Sequence, residues 1–194
     1  MLREIVRCVH CHALALELSG ALLSRGLVSP DDFRSTLDKK YSKVLSMSFR
    51  PSESTWKRAE SVSKAFGMLY SELQKNNPTS AALLHVCAHY GTWAIETDLL
   101  SSAMVALSQG ELLRDSDLRH QMPQDDFDLR KAINDLAEFS LIKVKRATGD
   151  NKPQIKIHGL LSRWCVECLD RKLEWAVLAC ACLTLIINQS ISNV

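Results

Sequence analysis

The stretch "SLIKVKRATGDNKPQIKIH", residues 140–158, contains the residue pattern that predicts β-strands in this chain. It therefore decides between an all-helical fold and a helical fold with a small sheet. Its two halves, 140–146 and 153–158, alternate apolar and basic residues, which is typical of strands with one buried face. Between them, "ATGDNK" contains the Gly and Asp of a turn, so the stretch predicts a β-hairpin. An isolated hairpin is only marginally stable in water, and we therefore expect this one to pack against helices.

Helical periodicity surrounds the hairpin on both sides. The segment "DDFDLRKAINDLAEF" precedes it and "GLLSRWCVECLDRKLEW" follows it. Further helices are predicted for residues 3–24, 29–45 and 56–74, and for segments that start at Pro78 and Ile95. Several helices followed by a hairpin form the plan of a winged helix. The predicted fold class is mainly α with minor β: a helical subdomain followed by a winged-helix domain with one β-hairpin.

The chain is predicted to contain three parts. The Ser-rich stretch "SMSFRPSEST" marks the boundary between a helical subdomain at 1–50 and a winged-helix-like domain at 51–170, which holds the hairpin 140–158. Residues 171–194 form a truncated linker or first repeat-like helix. The apolar run "AVLACACLTLII" in this part is shorter than the ~20 residues that cross a bilayer, so we expect a buried helix and no transmembrane span.

Composition limits the classes of partner and compartment. The 194 residues carry a net charge of +2, which gives no overall field for nucleic acid or an acidic membrane surface. The seven cysteines are an odd number, and charged residues break the N-terminal apolar stretch, unlike a secretory signal. We therefore expect reduced thiols and a cytoplasmic location.

Two cysteine pairs raise the question of a zinc site. Cys8 with Cys11, and Cys165 with Cys168, have the spacing that places two thiols on one face of a helix. Zinc ligands usually come in pairs on tight turns that are close in sequence, whereas these pairs lie in periodic helices far apart. Free cysteine also packs as a small hydrophobic residue. We predict packing cysteines and no metal.

Catalytic motifs are not found in the sequence. His85 and His89 in "HVCAH" have the spacing of a zinc-peptidase helix, but Val86 stands where the general base belongs, so we expect both at the edge of a packed helix. The acidic run at 125–128 is explained by charge at a helix N-terminus. No nucleophile motif or Gly-rich phosphate loop occurs, and we predict no catalytic residue and no enzyme activity.

The winged-helix prediction raises the alternative of DNA binding. The helix that would enter the major groove carries Asp128, Asp135 and Glu138 against Arg130 and Lys131, a net negative charge that phosphates would repel. The hairpin, in contrast, is basic, so DNA binding through the wing stays open. Its charged residues are Lys143, Lys145, Arg146, Lys152 and Lys156 with one acid, Asp150.

The order of these segments resembles a known family. "ALALELSGALL" followed by "SPDDFRSTLDKKYSKVL" resembles the "GLPLAL" helix and its successor in NB-ARC-type signal-transducing NTPases (STAND NTPases), especially the fungal set related to NOD-like receptors. "WKRAESVSKAFGMLYSELQKNNPTSAALLHVCAHYGTWAIETDLL" resembles the start of their winged-helix domain. "DLRKAINDLAEFSLIKVKR" and "IKIHGLLSRWCVECL" resemble its later helix, its wing and its histidine-bearing motif. The resemblance extends from residue 2 to about residue 178.

The resemblance implies a degenerate nucleotide site. His158 falls on the histidine of the "MHD"-like motif, which in the family contacts the phosphates of ADP, although Gly159 replaces the motif's aspartate. The proline that packs on adenine in the family falls on Ala13, with Cys11 and His12 in place of Gly and Leu. The predicted cofactor is therefore none, with ADP or ATP bound only if an NTPase core completes the site.

The resemblance also implies that the module works with an NTPase core and with helical repeats. The phosphate-binding loop and acidic residues of the NTPase core would precede residue 1, and the helical repeats would start near Lys172. "LEWAVLACACLTLII" resembles a first repeat helix, whose apolar face either folds back onto the winged helix or binds a partner. The predicted interaction surface consists of Trp175, Val177, Leu178, Leu183, Leu185 and Ile186.

The predicted function is a non-catalytic regulatory and protein-interaction module that couples nucleotide state to assembly in a complete receptor. Its expected partner is an NTPase core or the helical repeats of a related receptor, in cis or in trans, and nucleic acid is not expected. Two alternatives are a winged-helix DNA-binding protein and a fragment of a larger NTPase gene with no independent activity.

Overall fold

The computed structural model describes residues 2–9, 13–36, 53–114, 116–147, 152–168 and 171–192. The chain forms two compact units, residues 1–72 and 73–194, and each is described by itself. It is mainly helical with a small three-stranded antiparallel sheet, which confirms the predicted fold class.

The first unit contains helices α1 (Leu2–Cys8) and α2 (Ala13–Ser24) and most of α3 (Glu53–Asn76), whose last turn belongs to the second unit. Ser29 Oγ accepts a hydrogen bond from the Asp32 N–H at 3.1 Å, and residues 33–36 are helical, within the helix predicted from residue 29. The predicted end of that helix at residue 45 and the predicted boundary near residue 50 lie outside the described residues.

The second unit alternates helices and short strands. Its elements are α4 (Pro78–His89), β1 (Ile95–Glu96), α5 (Thr97–Gln109), 3-10 turns at Glu111–Leu113 and Asp117–Gln121, α6 (Asp126–Glu138), β2 (Ile142–Lys145), β3 (Gln154–Ile157), α7 (Gly159–Cys168) and α8 (Lys172–Ser192). From α4 to β3 the order is helix, strand, helix, helix, strand, strand, which is the order of a winged helix. The hairpin of β2 and β3 confirms the sequence prediction.

The sheet has the order β1-β3-β2 and both pairings are antiparallel. Ile155 in the central strand lies opposite Val144 in β2 and opposite Ile95 in β1. Strand β1 corrects the sequence prediction, which placed a helix from Ile95 onward. A strand of two residues is too short to show the alternation of apolar and polar residues that identifies strands. Because Thr97 starts α5 directly after it, the hydrophobic pattern of the sequence does not separate the strand from the helix.

Side-chain caps mark the starts of two helices in the second unit. The Asn77 side chain accepts a hydrogen bond from the Ser80 N–H at 3.2 Å, and Pro78 occupies the first turn of α4, where its missing N–H costs nothing. Asp125 Oδ1 accepts from the Asp128 N–H at 2.8 Å at the start of α6. These two caps fix where the helices under the sheet begin.

Helix α8 packs along α4 and α5, the first and second helices of the winged-helix core. Trp175, Leu178, Ala179 and Cys182 on its inner face are buried. The sequence left two possibilities for this helix, packing on the winged helix or binding a partner. The structure shows that one face of the helix packs on the winged helix.

Candidate functional site

His158, the predicted phosphate-contacting residue, lies exposed at the start of α7. Its Nδ1 accepts a hydrogen bond from the Leu160 N–H at 3.2 Å, and its carbonyl accepts one from the Ser162 N–H at 3.0 Å. His158 therefore caps the N-terminus of α7. A neutral ring with an accepting Nδ1 carries its proton on Nε2, which remains as a donor. Contact with a nucleotide stays a prediction.

Gly159 has a local steric reason to be glycine. A Cβ at this position would lie 3.1 Å from Thr92 Cγ2, which is closer than side chains normally pack. Thr92 belongs to the loop between α4 and β1, so this loop and the start of α7 are in close contact. An aspartate at position 159, as in the family motif, would require Thr92 to move.

Ala13, the other predicted nucleotide-contact residue, is the exposed first residue of α2. It belongs to the unit of residues 1–72, whereas His158 belongs to the unit of residues 73–194. Cys11 and His12, which precede Ala13, lie outside the described residues. A shared nucleotide site of Ala13 and His158 therefore also stays a prediction.

His85 and Trp175 form a stacked pair between α4 and α8. Their ring centroids are 4.4 Å apart and the ring planes differ by 8°. Both side chains are buried, and burial lowers the pKa of His85 to about 3, with the charge of His89 acting in the same direction. His85 is thus a neutral packing residue, which corrects the prediction that it lies at a helix edge. His89 lies half-buried one turn later, with Nδ1 2.8 Å from the His85 carbonyl oxygen.

Two buried thiols and a tyrosine extend this contact between α4 and α8. The Tyr90 hydroxyl donates a hydrogen bond to the Ala179 carbonyl at 2.8 Å. Burial raises the pKa of Cys182 to about 11 although its hydrogen bond with Tyr90 acts in the opposite direction, and burial raises the pKa of Cys87 well above its usual range. Thiols of this kind stay protonated at neutral pH and are poor nucleophiles.

The predicted interaction surface on α8 is divided by the fold. Trp175 and Leu178 are 4% and 2% exposed because they pack on α4 and α5, so these two residues are corrected from surface to core. Val177 is 47% exposed and remains available to a partner. The other three predicted residues are half-buried: Leu183, Leu185 and Ile186.

The described residues bear on the prediction that the two cysteine pairs bind no metal. Among the described residues, no group of three or more His, Cys, Asp or Glu side chains could hold a metal ion. Cys165 is buried, as predicted for a packing cysteine. Cys11 and the side chains of Cys8 and Cys168 lie outside what the structure describes, so the metal-free interpretation of the two pairs stays a prediction.

The first turn of α6 contains ordered acidic residues and an exposed aromatic residue. Asp126 accepts hydrogen bonds from Arg130 Nε at 2.5 Å and from Ser101 Oγ at 2.9 Å, and these two bonds hold the pKa of Asp126 below its usual range. Phe127, which lies between Asp126 and Asp128, is 74% exposed. Phe127 was not among the predicted site residues, although a phenylalanine among aspartates at a helix start has no obvious core position.

One acid that was counted on the helix predicted to enter the groove, Asp135, contacts the start of α4. Asp135 is half-buried and accepts hydrogen bonds from Ser80 Oγ at 3.2 Å and from Asn77 Nδ2, both at the start of α4. Without Asp135, α6 still carries Asp126, Asp128 and Glu138 against Arg130 and Lys131. The helix therefore keeps the predicted net negative charge, and one of its two bases, Arg130, is paired with Asp126.

The wing has a concentrated positive charge on its solvent face. Lys143 in β2 lies directly opposite Lys156 in β3, and Lys145 lies opposite Gln154. The three lysines are exposed. Like charges directly opposite each other destabilise an antiparallel pair, so an anion bound here would relieve that repulsion. On the other side of β3, Lys152 forms an ion pair with Glu96 at 3.6 Å.

Comparisons with protein-family models, with curated proteins and with solved structures found no match. The resemblance to NB-ARC-type NTPases therefore stays a prediction from the sequence. In the part of the chain that the structure describes, none of the helices has the length and apolar character needed to cross a membrane.

Proposed function

We propose that the chain is a non-catalytic regulatory module that binds a protein partner through the exposed face of α6. The observation that carries this proposal is Phe127, an aromatic side chain that is 74% exposed in the first turn of that helix. Aromatic residues inside a polar rim are enriched at the centres of protein interfaces.

The charges around Phe127 favour protein over DNA. In DNA-binding winged helices this helix enters the major groove, where it meets phosphates on both sides. Here Asp126 forms an ion pair with Arg130, and Asp128 and Glu138 outnumber the remaining base, Lys131. Such a face gains little from phosphates, whereas a protein surface with a small apolar pocket and mixed charge would complement it.

The described titratable groups support a non-catalytic role. His85 is neutral and stacked on Trp175, and the thiols of Cys87 and Cys182 are buried with raised pKa values. Asp125 and Asp126 are engaged at the start of α6. Each of these groups has a structural role, and catalysis usually requires a titratable group that faces a cleft.

The partner that we propose is the NTPase core or the helical repeats of a related receptor, in which the module would couple nucleotide state to assembly. This part of the proposal depends on the resemblance to NB-ARC-type NTPases. ADP or ATP would be bound only if such a core completed the site around His158 and Ala13. A cytoplasmic location is part of the same proposal.

A second candidate function is DNA binding through the wing. The exposed cross-strand pair of Lys143 and Lys156, with Lys145 beside it, is the observation that favours it. Three lysines can neutralise only a few phosphates, so the affinity expected from the wing alone is weak and falls with salt.

Affinity capture with the tagged full-length chain tests the proposal. We compare the unchanged chain with Phe127→Ala and with the matched control Leu112→Ala, which removes a side chain that is 52% exposed outside α6. We expect the unchanged chain and the control to retain an NTPase of the related class, and Phe127→Ala to bind that purified partner at least about tenfold more weakly in calorimetry. Equal affinity of Phe127→Ala, or capture that nuclease treatment abolishes, would contradict the proposal.

A further inference from the structure

Helix α8 carries a row of exposed residues along its outer face, which we name the α8 stripe. Successive members are alternately four and three residues apart, the spacing of the a and d positions of a coiled coil. The stripe consists of Leu173, Val177, Cys180, Thr184, Ile187 and Ile191, all exposed. Leu173 and Ile191 at its two ends are 78% and 69% exposed. Scattered exposed apolar residues are common, but a heptad-spaced row along a whole helix is typical of a helix-pairing surface.

The stripe cannot be buried by rotation of α8 about its own axis. The opposite face is held by the stack of Trp175 on His85 and by the hydrogen bond from the Tyr90 hydroxyl to the Ala179 carbonyl. Leu178 and Cys182 are buried on the same inner face. Because these contacts fix the rotation of the helix, its outer face stays on the surface.

The charge pattern of α8 selects an uncharged, apolar partner. Residues 175–192 contain no Asp, Glu, Lys or Arg. The residues that flank the stripe, such as Ala176, Ala181 and Leu183, are small or apolar, whereas helices that choose a different partner usually carry charges there. The hydroxyl of Thr184 donates to the Cys180 carbonyl at 2.9 Å, so it is already satisfied within its own helix. A second copy of the same stripe complements these properties.

The positions in the stripe are symmetric about residue 182. Leu173 and Ile191 each lie nine residues from this centre, Val177 and Ile187 five, and Cys180 and Thr184 two. In an antiparallel pair with its two-fold axis at residue 182, each d position therefore meets an a position of the second copy, the layer pattern of antiparallel coiled coils. Large aliphatic side chains would fill the outer layers, and the smaller Cys180 and Thr184 would fill the middle ones.

We propose that two copies of the chain associate through their α8 stripes as an antiparallel helix pair with two-fold symmetry. Covering the exposed parts of both stripes removes on the order of 1,000 Å² from water, close to the lower limit for a specific interface. The expected dissociation constant is therefore about 1–100 μM. The inference rests on α8 and is independent of the proposed role of Phe127 in α6.

Sedimentation velocity of the full-length chain under reducing conditions, from about 1 to 300 μM, tests the association. We expect a reversible monomer–dimer equilibrium that Val177→Lys and Ile187→Lys each abolish. The matched control Leu112→Lys changes an exposed leucine outside the stripe and should leave the dimer intact, as should Phe127→Ala. Circular dichroism verifies that each variant is folded. A monomer at all concentrations, or a dimer that both stripe variants retain, would overturn the proposal.

Cross-linking through Cys180 tests the antiparallel register. In this register Cys180 lies opposite position 184 of the second copy, so Thr184→Cys should give a disulfide-linked dimer on mild oxidation. Adding Cys180→Ser to that variant should remove this link. If the unchanged chain instead forms a dimer linked through Cys180 of both copies, the helices are parallel and the proposed register is wrong.

Discussion

His85 lies with its ring parallel to that of Trp175, at a centroid distance of 4.4 Å. In "HVCAH", His85 and His89 have the spacing of two metal ligands on a helix. In the fold, however, the ring of His85 packs against Trp175 of α8. Burial keeps the imidazole neutral, with its pKa lowered from 6.5 to about 3. Charging this ring would place a cation inside the contact between α4 and α8, so the residue couples protonation to the docking of α8.

The free energy of unfolding is expected to decrease below pH 6.5 because of His85. Since its pKa is about 3 in the folded chain and ordinary in the unfolded chain, the unfolded state binds more protons between these values. This contribution is complete above pH 6.5 and decreases by up to about 1.4 kcal/mol per pH unit as the pH falls toward 3. Urea unfolding at several pH values measures it.

His85→Phe keeps an aromatic ring against Trp175 and should remove this part of the pH dependence. His120, which is exposed in a 3-10 turn, provides the control, since His120→Gln should leave the slope unchanged. A slope between pH 3 and 6.5 that is the same in His85→Phe as in the unchanged chain would show that another group causes it.

At the scale of the element, the end of α6 determines where the hairpin begins. Ser140 has a φ of 57°, in the left-handed region. Its N–H donates to the Ala137 carbonyl at 2.9 Å, and the Leu141 N–H donates to the Leu136 carbonyl at 2.9 Å. This pair of bonds is a Schellman motif, in which glycine usually occupies the left-handed position. Leu141, which follows, is buried and leads directly into β2.

Ser140→Gly should therefore stabilise the chain by about 0.5–1 kcal/mol, because glycine adopts a positive φ without the steric cost that serine has. The end of α2 offers the reciprocal change, since Gly26 has a φ of 65° and its N–H donates to the Leu23 carbonyl at 3.0 Å. Gly26→Ser should destabilise by a similar amount. Urea unfolding of both variants checks the pair, and a loss of stability in Ser140→Gly would contradict this account of the helix end.

Elements with strong local signals could be predicted from the sequence. The alternation in 140–158, the proline at 78 and the acidic run at 125–128 predicted the hairpin and the starts of α4 and α6 correctly, because these signals depend on neighbouring residues. Strand β1 was missed because its two residues become a strand only by pairing with β3. A strand that short has no period of its own.

Properties that depend on tertiary contacts were less predictable. Apolar residues occur around the whole of α8, so the sequence alone did not show that Trp175 and Leu178 would be buried while Val177 stays exposed. Likewise, Asp135 was counted among the charges that would meet DNA phosphates, but its carboxylate accepts a hydrogen bond from Ser80 at the start of α4. For Phe127, the surrounding aspartates were a sequence signal against a core position, and the packing of α6 leaves this side chain 74% exposed.

At the scale of the whole molecule, the fold suggests DNA binding, whereas the side chains on α6 suggest a protein partner. The order of helices and strands is that of a winged helix, a fold often used to bind DNA, and its wing is basic. The helix that would enter the groove instead presents Phe127 among aspartates and carries a net negative charge. Because function follows from the site rather than from the fold, we favour a protein partner.

The central claim, that α6 is a protein-binding and not a DNA-binding surface, is tested most directly by fluorescence anisotropy with a labelled DNA duplex of about 20 base pairs. At about 150 mM salt we expect no saturable binding by up to about 100 μM of the full-length chain, because the net negative charge of α6 gives it few phosphate contacts and releases few counterions. A dissociation constant below about 10 μM that rises steeply between about 50 and 200 mM salt would contradict the account.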